Sequence, residues 1–175
     1  MTETLKVNIY IGTDNGSRKR LYRGYGAVVE FVRKNGKEET RRVSGLCDGT
    51  WDLAFILALT DALDLLTRPC MVRVYAPDRH VCGSICSGRV REWQDNGWLT
   101  RKGRPIANAE EWKELARAVS RHEICQAGSS SKYMTEIQRD IKEIKCRGED
   151  WQQMRIMPDN GTDRCDNIHT GRERT

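Results

Sequence analysis

Residues 5–12, LKVNIYIG, alternate. Leu5, Val7, Ile9 and Ile11 fall on one side and Asn8 and Tyr10 on the other, the period of a half-buried β-strand. TDNGSRKRLYRG then reads as a turn with a basic tip, YGAVVEFVR as a second strand, and EETRRVSGL as a third. The NGK between the last two is a tight hairpin signal, so the chain opens as an antiparallel meander. Helical periodicity takes over at 50–66, where Leu53, Ile56, Leu57, Leu63 and Leu66 share one broad face, and Pro69 stands just past the helix end. MVRVYA is a short β-branched strand, and DRHVCGSICS is a short helix weakened by Gly83.

Residues 88–105 carry little apolar periodicity and many turn residues, which predicts a protruding, irregular segment. Asn108 with Glu111 predicts a capping box at the head of a helix marked by Trp112, Leu115, Ala116 and Val119. RHEIC is a fifth strand candidate, and SSKYMTEIQRDIKEIK a last helix with Met134, Ile137, Ile141 and Ile144 on one face. The order β-β-β-α-β-α-α-β-α implies an α/β fold. The strand at 71–76 should run parallel to the first through a right-handed crossover, in a mixed sheet with helices on both faces. Residues 1–146 read as one domain and 147–175 as a polar tail, expected to be disordered.

Composition narrows the class. The chain has 175 residues, is 38% hydrophobic, and has no apolar run long enough to span a membrane. The N-terminus lacks the basic-then-apolar pattern of a signal peptide, so a cytoplasmic protein is expected. Seven cysteines form no paired framework, and Cys82 with Cys86 has no histidine at ligand spacing, which favours reduced thiols. His80 and His122 show no evident ligand partners. The net charge of +5 is uneven: residues 18–42 hold nine Lys/Arg against three Glu. Residues 86–105 hold five against two acids, with Trp93 and Trp98 among them. Basic segments with interleaved tryptophans point to a polyanionic partner.

These elements, in this order, resemble the ribonuclease H family. GYGAVVEF is similar to its second strand, and REWQDNGWLTRKGRPIANAEEWKEL, residues 91–115, to its basic protrusion and the helix after it. The resemblance covers about residues 5–145. It implies a five-stranded mixed sheet, three antiparallel strands then parallel ones, flanked by helices. It also implies endonucleolytic cleavage of RNA in RNA–DNA hybrids by four carboxylates holding two Mg²⁺ (or Mn²⁺) ions. The implied partner is an RNA–DNA hybrid or other duplex nucleic acid; no protein partner is identifiable.

The resemblance implies Asp14, Asp52, Asp78 and Asp140 as candidate catalytic carboxylates, with Asp14, Asp52 and Asp140 as the metal ligands. Gly12 stands where the family has its first carboxylate, and Asp14 follows two residues later; Asp14 serves if the strand runs longer, or else belongs to an Asp-Asn-Gly turn. Asp52 lies in the first turn of the long helix, above Ile56, Leu59 and Leu63, so it borders the apolar face. Pro77 occupies the third position and Asp78 comes one later; on a strand that step turns the side chain to the other face, and Asp78 suits a helix cap. The fourth is Asp140 in IQRD, or Asp166 in DRCD. In the protrusion, Arg91, Arg101, Lys102 and Arg104 are candidate phosphate contacts. Trp93 and Trp98 either stack on sugars or form a local core. Two functions remain open on the sequence: a Mg-dependent hybrid endonuclease, and a non-catalytic relative that binds the same nucleic acid.

Overall fold

The computed structural model describes residues 4–156, with side chains described up to 148. Strands β1 (Leu5–Thr13), β2 (Leu21–Val32) and β3 (Glu38–Gly49) form the expected meander. They are followed by α1 (Trp51–Asp64), β4 (Cys70–Tyr75), α2 (His80–Cys86), α3 (Arg89–Asp95), α4 (Ala109–Val119), β5 (Glu123–Gly128) and α5 (Met134–Ile156). The sheet order is β3-β2-β1-β4-β5. β1 pairs antiparallel with β2 and parallel with β4, as expected, and β4 pairs parallel with β5. Among the described residues no helix is long and apolar enough to cross a membrane.

Two layers of helix cover the sheet. Val7, Ile9 and Ile11 of β1, with Tyr25, Ala27 and Val29 of β2, pack against Ile56, Leu59 and Leu63 of α1 in the main core. The other face carries Tyr10 and Val28 beneath Ile137 and Ile141 of α5. β1 is therefore buried on both sides, although its alternation alone reads as half-buried, because α5 covers the face that Asn8 and Tyr10 occupy.

That second face has a floor of glycine. Gly12 and Gly26 are register partners, and a Cβ on either would lie 3.1 Å from Ile137. A Cβ on Gly24 would overlap the Ile141 side chain. The missing side chains let α5 lie close on β1 and β2. Just before α5, the chain is tied down by Glu30 of β2, which is 3% exposed. Its carboxylate accepts from Tyr133 Oη at 2.6 Å and Asn8 Nδ2 at 3.0 Å, and pairs with Lys132. Burial works against the Glu30 charge, but Lys132, Tyr133 and Asn8 outweigh it and hold the group below its ordinary value of 4.5.

Three expectations are corrected. Residues 89–95, expected to be irregular, form helix α3, because Val90 is buried and Trp93 packs edge-on against Trp112 with ring centroids 5.2 Å apart. The periodicity is invisible because only a narrow side of this seven-residue helix meets the core. Asn108 makes no capping box: its φ of 57° is left-handed, and no side-chain bond caps α4. The last helix continues past Lys145 to Ile156, into the segment expected to be tail, and residues 157–175, Asp166 included, lie outside the described residues. The thiol expectation agrees with six free cysteines among the described residues, Cys82 buried and pushed up to about 12 chiefly by that burial.

Replacing Gly24 by Ala should push α5 off the sheet and lower stability by about 1–3 kcal/mol, read from urea unfolding. Glu30 has a depressed value in the fold, so its contribution to stability is present above about pH 4.5 and lost as the pH falls through the folded value. Glu30→Gln should flatten the acid limb of a stability–pH profile; an unchanged limb would show that this carboxylate is not the acid-sensitive anchor.

Candidate active site

The parallel strands β1 and β4 end side by side, with Tyr10 opposite Tyr75, and α1 begins beside them. Thr50 caps α1 by accepting from Leu53 N–H at 3.4 Å. Trp51 Nε1 donates to Thr13 Oγ1 at 3.1 Å, and Gln138 Nε2 donates to the Thr13 carbonyl at 2.8 Å. The end of β1 is thereby fixed to helices on both faces. This frame sets the position of Asp52 in the first turn of α1.

Past β4, the alternation continues. Val72, Val74, Ala76 and Asp78 are buried, while Pro77 is exposed. Asp78 therefore faces the same side as the core residues of β4, toward α1, and the exposed Pro77 takes the other side. Asp78 does not cap α2, whose N-cap is Arg79 with no side-chain cap bond; one of its oxygens, Oδ1, instead accepts from the His80 backbone N–H at 2.7 Å, closing the turn into the helix. The other, Oδ2, is buried with no hydrogen-bond partner, in a residue only 5% exposed. Asp52 is close enough to be affected directly. Burial raises its pKa first, then the charge of Asp78 and side-chain contact with it, while His80 and Arg18 pull it back. Its Oδ2 lies 4.0 Å from His80 Nε2.

Asp14 and Asp140 go elsewhere. Asp14 accepts from Gly24 N–H at 3.2 Å and is paired with Lys145 of α5. Asp140 Oδ1 lies 3.2 Å from Arg42 Nη1 of β3; burial raises its pKa, against the pull of Arg42 and Arg139. The three expected metal ligands Asp14, Asp52 and Asp140 are thus not brought together. The structure joins Asp52 with Asp78 instead, and among the described residues no group of three or more His, Cys, Asp or Glu could hold a metal ion. The position that matches the family's first carboxylate is closed as well: Gly12 faces Ile137 and the Met134 sulfur, at 3.1 and 3.2 Å from a would-be Cβ.

In the protrusion, Arg91, Arg101, Lys102 and Arg104 are exposed, and Arg101 lies 3.7 Å from Glu92. Trp93 and Trp98 are half-buried and pack against the main core beside Trp112. They support the segment from within. His122 accepts the Cys70 backbone N–H at 3.2 Å, and burial lowers its pKa, which makes it a structural acceptor. The sequence reading missed His80, Arg18 and Arg23. The Asp-x-His spacing at 78–80 was a usable signal for His80, since an Asp that accepts from the backbone N–H two residues on brings that residue to its own carboxylate.

No family model matches the chain. Among curated proteins it is 34% identical over 101 residues to "Ribonuclease H" of Rhodopseudomonas palustris (strain BisB5), covering 58% of this chain and 64% of that protein. It is 29% identical over 123 residues to "Ribonuclease H" of Lachnoclostridium phytofermentans, covering 69% and 77%. Among solved structures, LC9-RNase H1, described as a type 1 RNase H with the type 2 active-site motif, superposes with a TM-score of 0.61 at 21% identity, over 73% of this chain and 64% of that one. This chain has the ribonuclease H-like fold. The foamy viral protease-reverse transcriptase solved with an RNA/DNA hybrid shares the ribonuclease H-like fold, with a TM-score of 0.57 at 16% identity over 83% of this chain and 20% of that one. The alignment to the Rhodopseudomonas relative spans just under two thirds of that protein's length.

In this chain, Asp78→Asn keeps the oxygen that accepts from the His80 N–H and removes the like charge beside Asp52. The Asp52 titration should then move down toward its ordinary value of 3.8, read by NMR of the carboxyl carbon. Because a raised carboxylate pKa opposes folding once the group ionises, the same variant should gain stability above that titration and not below it.

Proposed function

We propose that the chain is a metal-dependent endonuclease acting on the RNA strand of RNA–DNA hybrids, with Asp52 and Asp78 as its working carboxylates. The observation that carries this reading is the buried Oδ2 of Asp78, which has no donor and has a second carboxylate beside it. Two carboxylates in contact repel unless one is protonated or a cation lies with them. Their oxygens are hard donors, and they suit one divalent ion such as Mg²⁺ or Mn²⁺. A second ion has no comparable ligand set among the described residues, so no step is assigned to it. The bound ion would supply a polarised phosphate and an activated water.

The residues of the chain do the rest. The His80 N–H holds Asp78 in one orientation, so its free oxygen stays aimed at the site. Asp52 approaches from the head of α1, where the helix dipole favours its negative charge. Arg91, Arg101, Lys102 and Arg104 would contact backbone phosphates and set the duplex across the pair, without reading its sequence.

A second reading, binding without cleavage, is favoured by one specific observation: Asp14 and Asp140 are already neutralised by Lys145 and Arg42. A labelled hybrid incubated with Mg²⁺ or Mn²⁺ separates the two. The first reading expects RNA-strand cleavage that falls by about two orders of magnitude or more in Asp52→Asn, on the scale of losing a transition-state charge contact. Salt-sensitive binding with no cleavage at enzyme excess would replace it with the second.

A further inference from the structure

Arg23 is a buried cation that the mechanism does not use. Arg23 of β2 has 0% exposure, and none of its hydrogen-bond acceptors is a carboxylate. Nε donates to the Gly49 carbonyl at 3.1 Å, Nη1 to that of Asn15 at 3.0 Å, and Nη2 to those of Ser17 at 2.8 Å and Lys19 at 2.6 Å. The guanidinium thus shapes the β1–β2 loop from inside, fixing three of its carbonyls at once. Further turns within the loop add to this, with Ser17 N–H on Asn15 Oδ1 at 2.8 Å. A buried cation held only by carbonyl dipoles keeps its charge and extends a positive field to the loop surface.

That surface is itself basic. Arg18, Lys19 and Arg20 are all exposed. Arg20 lies 3.4 Å from Asp48, whereas Arg18 and Lys19 have no carboxylate within ion-pair distance among the described residues. Arg18 lies over the Trp51 ring, 6.0 Å from its centroid, and its charge is felt at Asp52, the next residue along. The loop therefore places the unneutralised Arg18 beside Asp52, with Lys19 next to it in the chain, on an element separate from the protrusion.

We propose that the β1–β2 loop is a second phosphate-contacting element, in which Arg18 and Lys19 grip the nucleic-acid backbone next to the carboxylate pair and Arg23 is the positioning residue. The proposal rests on the hybrid-binding reading above. Two negative side chains repel a phosphate diester; a fixed guanidinium beside them offsets that repulsion and sets the register of the strand. Contacts on two elements also stop the duplex from pivoting on the protrusion alone.

The test is hybrid binding by fluorescence anisotropy in chelator, without divalent ions, across a salt series. Each lost phosphate contact lowers the magnitude of the log K against log salt slope by about 0.9. Arg18→Ala with Lys19→Ala should weaken binding about tenfold at moderate salt and lower that slope by about 1.8. A variant with Arg91, Arg101, Lys102 and Arg104 changed to Ala should show its own, separate loss. Arg23→Lys, with its fold checked by circular dichroism, keeps the charge but loses the fork, and should reproduce much of the loop loss; if it unfolds, the double variant still decides. A double variant that binds with unchanged affinity and slope, while the protrusion variant weakens, overturns the loop proposal alone. An unaltered chain with no salt-sensitive binding overturns both this proposal and the reading it rests on.

Discussion

The contact of α5 with a glycine floor governs much else in this molecule. Gly12, Gly24 and Gly26 offer no side chains, so Ile137 and Ile141 settle close on β1 and β2. The close approach fixes the helix in depth and rotation. From there Gln138 reaches the Thr13 carbonyl, Asp140 reaches Arg42, and Lys145 reaches Asp14. The same contact fills the space in front of Gly12, where a carboxylate would otherwise point. A packing decision on one face of the sheet thus sets which acids are tied up and which are left.

The acids that are left lie on the other face, and their arrangement has a physical tension. Asp52 and Asp78 share a site in which burial and mutual repulsion both disfavour charge on Asp52. Such a pair weakens the fold at neutral pH, and a cation lying between the two carboxylates would relieve the repulsion. By contrast, Asp14 and Asp140 are matched by protein cations and contribute to holding α5 in place. The four carboxylates thus divide into two that each have a protein cation and two that lie beside each other, a distinction that residue type alone does not make.

Much of the fold was legible in the chain. The alternation of β1, the NGK hairpin and the broad apolar face of α1 led to the correct sheet, because each pattern reflects burial against a neighbour close in sequence or a long amphipathic face. The basic protrusion was legible from its residues, yet its helix was not, since seven residues with one buried valine show no period. That Asp78 takes up a backbone N–H at the entry to α2 was readable from its place after a strand and a proline, although the cap position itself falls to Arg79. Its inward direction was not, because the alternation of β4 carries on beyond the last paired residue, where strand rules seemed to end.

By itself the sequence determined the order of the five strands and of four of the five helices, the class of fold, the basic surface and the presence of an acid at the head of α1. Those follow from local periodicity and composition, which every short window of the chain carries. Only the tertiary structure decided that Asp78 joins Asp52, that Asp14 and Asp140 are drawn to Lys145 and Arg42, and that Arg23 holds the loop beside the site. Each depends on which face of the sheet a side chain takes and on what an element far away in the chain places opposite it. Spacing along the chain carries neither, because a single step of register reverses the face and a helix packed one turn differently changes the partner.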